Sequence, residues 1–137
     1  MSRVLVVDDD ADGMEAVCLF LEKAGHHVMC KHNGREALAG LATFSPDVVI
    51  LDLLMPEMDG VEFLEVLRNY YRGLTLPVVL LTAVPEGPAA HRARSLGVRH
   101  VFPKADFQLS DLETCICELT RPVPGMGGDV AQTGVSP

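Results

Sequence analysis

Carboxylate, hydroxyl and amine side chains in this sequence stand at the ends of short apolar runs. Asp8, Asp9 and Asp10 close "RVLVVDDD", Asp52 closes "VVILD", Thr82 closes "VVLLT", and Lys104 follows "HVFP". Adjacent carboxylates at the end of a buried run repel one another, so either water screens them or a cation sits between them. Placed in one cleft, the paired acids, the single acid, the hydroxyl and the amine would make a site for handling concentrated charge. Whether they meet depends on the elements that carry them.

The apolar runs predict strands at Val4–Val7, His27–Lys31, Val48–Leu51, Val78–Leu81 and His100–Phe102. Most are aliphatic throughout, as parallel strands covered on both faces are. Helical patterns alternate with them. Met14, Val17, Cys18 and Leu21 repeat at helical spacing and stop at Gly25. "GREALAGLATF", "DGVEFLEVLRNYY", "GPAAHRARSLG" and "LSDLETCICELTR" supply four more helices. Strands alternating with helices predict a doubly wound α/β sheet, in which ligands bind beyond the carboxyl ends of the strands. Asp8, Asp9, Asp52, Thr82 and Lys104 all fall at that edge. Asp10 or Asp12 reads as a helix N-cap, Asp59 as a turn and cap residue, and Asp47 as a solvated acid at the opposite edge.

Composition narrows the function. A chain of 137 residues holds one core, and a net charge of −8 argues against direct nucleic-acid binding, which needs a basic footprint. No apolar run approaches the roughly 20 residues that span a bilayer, and no signal-peptide pattern opens the chain, so a cytoplasmic place is expected. The four cysteines, Cys18, Cys30, Cys115 and Cys117, form no C-x-x-C and read as small buried hydrophobes in a reducing compartment. His26 and His27 lack a ligand partner at helical spacing, which argues against zinc. His91, Arg92, Arg94, Arg99 and His100 make a basic cluster in an acidic chain, read as a solvated face or as a partner surface. Residues 122–137 are rich in Pro and Gly and read as a flexible tail or linker after a domain at 2–121.

"VVDDD", "LDLLMPEMDG", "LLTA" and "FPKA", in this order within the alternating pattern, resemble the receiver domain of two-component response regulators. The resemblance implies a CheY-like, flavodoxin-like fold of five parallel strands in the order 2-1-3-4-5 with five helices. It matches Asp52 to the phosphoacceptor, and Thr82 and Lys104 to the groups that contact the phosphoryl. It matches Asp8 and Asp9, with Asp52 and the backbone carbonyl of Leu54, to a magnesium site that manganese could also fill. Implied partners are a histidine kinase or histidine phosphotransfer protein and a downstream protein target, with no nucleic acid or membrane. A monomer or a weak phosphorylation-dependent dimer is expected.

Physical chemistry supports that assignment. Magnesium prefers octahedral oxygen ligation, which suits Asp9 and Asp52 directly and Asp8 through water. It offsets the negative charge that a carboxylate meets at phosphorus, and Lys104 adds a fixed positive charge on the other flank. An aspartyl-phosphate hydrolase is the competing enzymatic reading. Such hydrolases carry an acid two residues after the nucleophile, and Leu54 there cannot shuttle a proton. A degenerate receiver that only binds partners is the third. Two positions depart from the family pattern. Ala105 stands where a proline is usual, and Val101 where an aromatic is usual, with Phe102 pointing to the opposite face.

Overall fold

The computed structural model describes residues 2–71 and 75–121. Its elements alternate as β1 (Arg3–Val7), α1 (Ala11–Lys23), β2 (His27–Lys31), α2 (Gly34–Gly40), β3 (Val48–Leu51), α3 (Gly60–Tyr70), β4 (Val78–Thr82), α4 (Pro88–Ser95), β5 (His100–Pro103) and α5 (Leu109–Thr120). The strands form one parallel sheet in the order β2-β1-β3-β4-β5. The winding therefore reverses between β1 and β3, which places the ends of those two strands at the topological switch point. The tail expected at 122–137 lies outside the described residues.

Alternation along the strands builds two cores. Leu5, Val7, Val49, Leu51, Val78 and Leu80 pack with Ala37, Phe63, Leu64, Leu67, Ala90 and Ala93 from α2, α3 and α4. Val4, Val6, Val48, Ile50, Val79 and Leu81 face the other way, onto Met14, Val17 and Leu21 of α1 and Leu112 and Ile116 of α5. Both faces are covered, which is why these strands read as unbroken apolar runs. Val101 packs in the first core and Phe102 in the second, so the two residues do point to opposite faces.

Local signals set the helix ends. The Asp10 carboxylate accepts the Gly13 N–H, which makes Asp10 rather than Asp12 the cap of α1. Asp59 and Glu62 form a reciprocal capping box at the start of α3. The second helix is shorter than its pattern predicts. After Gly40 the chain tightens, with Ala42 N–H on the Ala39 carbonyl and Thr43 N–H on that of Gly40, and this turn delivers Phe44 into the core. Arg68 is buried near the far end of α3. Its guanidinium donates to the Leu96 carbonyl at 2.8 Å and to that of Leu76, and burial lowers its pKa.

The cysteines correct the sequence reading. Only Cys115 is a buried free thiol; Cys117 is exposed, and Cys18 is joined to Cys30 by a disulfide. The turn at Gly25, with a φ of 99°, folds β2 back along α1 and brings together residues 12 apart. Spacing along the chain carries no sign of that juxtaposition.

Candidate functional site

Three of the site residues are fixed by a backbone bond to a neighbouring strand end. Asp8 N–H donates to the Lys31 carbonyl at 3.0 Å, Asp52 N–H to that of Val7 at 3.0 Å, and Lys104 N–H to that of Thr82 at 2.9 Å. Ladders that run one residue past β1, β3 and β5 therefore hold three charged side chains in register at one edge. Carboxylate oxygens of Asp8, Asp9 and Asp52 lie within 4.8 Å of one another. Asp8 and Asp52 are buried while Asp9 is exposed. The Lys104 ammonium lies 2.8 Å from Asp8 Oδ2 and 3.2 Å from Asp52 Oδ2. The Lys104–Ala105 peptide is trans, and Lys104 reaches both acids without the usual proline.

The electrostatics show a site short of positive charge. Burial pushes the Asp8 carboxyl above its ordinary value, and the Asp52 charge adds to this; the bonds from Lys104 and the Asp10 N–H only partly compensate. Burial opposes the charge on Lys104 as well, yet Asp8 and Asp52 outweigh it and hold its pKa above normal. Counted as formal charges, three carboxylates face one ammonium. Hard carboxylate oxygens clustered with excess negative charge fit a small divalent ion such as magnesium.

Thr82 is fully buried at the end of β4, and its Oγ1 accepts the Val84 N–H at 3.1 Å. Leu54 N–H points to Asp52 Oδ1 at 3.4 Å, while the residue is 54% exposed. A cavity of about 350 Å³ opens beside Asp8 and Lys104, walled by Val17, Leu81 and Phe107. The sequence pattern assigns Gly60 no role of its own. A Cβ there would meet the Asp52 carbonyl and lie 2.7 Å from Leu53 Cα, so the start of α3 rests on the backbone of the acid-bearing loop.

Other assignments shift. Asp47 is exposed at the opposite edge, as expected, but its carboxylate also accepts the Arg3 N–H at 2.9 Å. Within the basic cluster, Arg92 is already engaged by Glu65 of α3. His26 gains partners that spacing did not show, Glu113 at 3.1 Å and, through Glu113, Cys117. The Ser2 N–H donates to His26 Nδ1, so the neutral ring carries its proton on Nε2 and gives it to Glu113. That tautomer has no lone pair left on Nε2 for a metal. The Cys117 S–H donates to the same carboxylate, which raises the thiol's pKa and, with the His26 bond, lowers that of Glu113.

Fold and site together define a doubly wound, flavodoxin-like α/β domain with an acidic pocket at its switch point. The chain belongs to the response regulator receiver domain family, whose profile matches residues 4–116. It is 35% identical over 134 residues to response regulator MprA of Mycolicibacterium vanbaalenii, covering 96% of this chain and 57% of that protein. It is 36% identical over 116 residues to the regulatory protein AtoC of Escherichia coli, covering 85% and 24%. The chain thus spans less than two thirds of these curated relatives. Among solved structures, the receiver domain of Francisella response regulator 1452 superposes with a TM-score of 0.78 at 26% identity, covering 88% of this chain and 98% of that one. Chemotaxis protein CheY4 of Vibrio cholerae gives 0.78 at 29%, covering 87% and 98%. The sheet order and CheY-like fold expected from the sequence are those observed.

Proposed function

We propose that residues 2–121 form a phosphoacceptor switch that takes a phosphoryl group on Asp52 from a histidine kinase or phosphotransfer protein and changes its affinity for a downstream protein in the cytoplasm. Lys104 lying between Asp8 and Asp52 carries this reading, together with family membership. Asp8, Asp9 and Asp52, with the Leu54 carbonyl, would hold magnesium, which would supply the positive charge that a carboxylate needs to approach a phosphoryl group. An Asp52 oxygen forms the bond to phosphorus as the donor's bond to it breaks. Lys104 then shifts from carboxylate pairing to the phosphoryl oxygens, and the Thr82 hydroxyl, which accepts the Val84 N–H, turns to donate its own proton to one of them. The cavity beside Lys104 leaves a donor room to approach.

The test is mass spectrometry after acetyl phosphate and magnesium. The native chain is expected to gain one phosphoryl adduct and Asp52→Asn none. Labelling of that variant at another residue would overturn the assignment. Steady release of phosphate would favour a hydrolase, and no reaction at all a degenerate receiver.

Signal lifetime follows from Leu54. Its exposed apolar side chain can neither position nor activate a water for attack on phosphorus. Val84 packs against the core instead, so Leu54 is the principal barrier. Leu54→Asn is expected to speed loss of the adduct on the order of tenfold, equivalent to about 1.4 kcal/mol, and Val84→Glu to do less. An unchanged decay in Leu54→Asn would remove the barrier.

A further inference from the structure

The Cys18–Cys30 bond ties the middle of α1 to β2, the terminal strand of the sheet. Cys18 is 6% exposed within the core under α1, whereas Cys30 is half-buried. Both sulfur-bearing residues line a groove of about 370 Å³ along the outer side of α1, with Glu15, Leu19, Glu22 and His32. A disulfide reached from solvent through a groove is open to exchange, unlike one sealed in a core. Met14, Val17 and Leu21 bury α1 whether or not the bond is made, so the fold outlasts its loss.

We propose that Cys18 and Cys30 form a reversible thiol–disulfide site whose reaction partner is a neutral or cationic dithiol entering this groove. It is independent of the phosphoacceptor reading. A thiolate of the dithiol attacks the sulfur of Cys30, the less buried of the two residues, forming a mixed disulfide. The Cys18 sulfur leaves as a thiolate and takes a proton. The second thiol of the dithiol loses its proton and attacks its own sulfur in the mixed disulfide, releasing the Cys30 thiolate, which is protonated in turn. Two electrons pass to the protein, and the dithiol departs as its disulfide; that oxidised form drives the reverse. Glu15 and Glu22 at the rim repel anionic thiols, which sets the preferred class of reagent.

The experiment uses the full chain. After equilibration with the neutral oxidant 2-hydroxyethyl disulfide, alkylation and digestion are expected to show Cys18 and Cys30 cross-linked, with Cys115 and Cys117 carrying label in denaturant. Reduced dithiothreitol should convert the cross-link to two labelled cysteines, and 2-hydroxyethyl disulfide should restore it once the dithiothreitol is removed. Reduction should lower the native Tm by about 5 °C or more, a change that Cys30→Ser should not show. Neutral 2-mercaptoethanol should open the bond several-fold faster than anionic 2-mercaptoethanesulfonate, and Glu15→Gln with Glu22→Gln should narrow that gap. Free alkylation of both cysteines after the oxidising equilibration overturns the site. Equal rates for the two thiols overturn its selectivity and with it the groove as the route of entry.

Discussion

Gly60→Ala is expected to destabilise the domain by about 2–3 kcal/mol, because the added methyl group has no space to enter. The atoms it meets are the Asp52 carbonyl and Leu53 Cα, both backbone, so no rotamer change relieves the contact. Gly60 N–H also donates to the Leu53 carbonyl at 3.1 Å, which fixes the same approach from the other side. The gain in helix propensity from Gly to Ala, about 0.5–1 kcal/mol, is too small to offset this. Displacing that loop moves Asp52 against Lys104, so the rate of phosphorylation should fall along with stability. Urea denaturation and adduct formation measure the two. A variant as stable and as reactive as the native chain would show that α3 can move away from the loop at little cost.

Asp8→Asn is expected to raise the Tm of the metal-free protein by a few degrees and to abolish most of its response to magnesium. The salt bridge to Lys104 argues for the opposite sign, but it is the smaller effect. Asp8 has a raised pKa even with the ammonium 2.8 Å away, because burial outweighs the bridge, so ionising it costs more in the folded state than in the unfolded chain. A group whose folded pKa is raised contributes stability below its unfolded value and loses it as pH climbs through the folded one. The advantage of the amide variant should therefore vanish below the ordinary value of 3.8, grow as pH rises through the raised value, and level off above it. Magnesium binding only the folded native chain adds about 2.7 kcal/mol at one hundred times its dissociation constant, and the variant should recover little of that. Thermal melts across pH, with and without magnesium, decide the matter. A native chain more stable than Asp8→Asn at neutral pH without metal would mean that the Lys104 bridge dominates. The exposed position of Asp9 makes Asp9→Ala the milder change in the absence of metal.

Sequence carried the architecture because each strand is sealed on both faces and so reads as an unbroken aliphatic run. The His27–Lys31 and Val48–Leu51 boundaries coincide with those observed, and the other three strands extend by one residue. Asp8, Asp52 and Lys104 were legible because the ends of parallel strands share one edge whatever the loops do. What escaped depends on distances between segments remote in sequence. Nothing local to Cys18 points to Cys30, and nothing near His26 points to Glu113. Gly60 carries no local signal because its reason is a contact with backbone atoms at Asp52 and Leu53. The second helix ran long on paper because Leu41 and Phe44 continue an apolar pattern after the hydrogen bonding has tightened.

The buried Arg68 gives α4 two unlike ends. Near its C-terminus, the Leu96 carbonyl accepts from the guanidinium, which also holds the Leu76 carbonyl ahead of β4. That end is bolted to α3 and to the base of the sheet. The N-terminal end starts from Gly87, with a φ of 109° and no side-chain cap, in the loop that follows Thr82. The Arg92–Glu65 bridge between the two ends is exposed and so adds only a weak restraint. A push delivered at Thr82 would therefore be expected to swing α4 like a door hung on Arg68. Its displacement would be greatest at Gly87 and fade toward Leu96, so the surface that reports the push would lie at the end of the helix that follows Thr82.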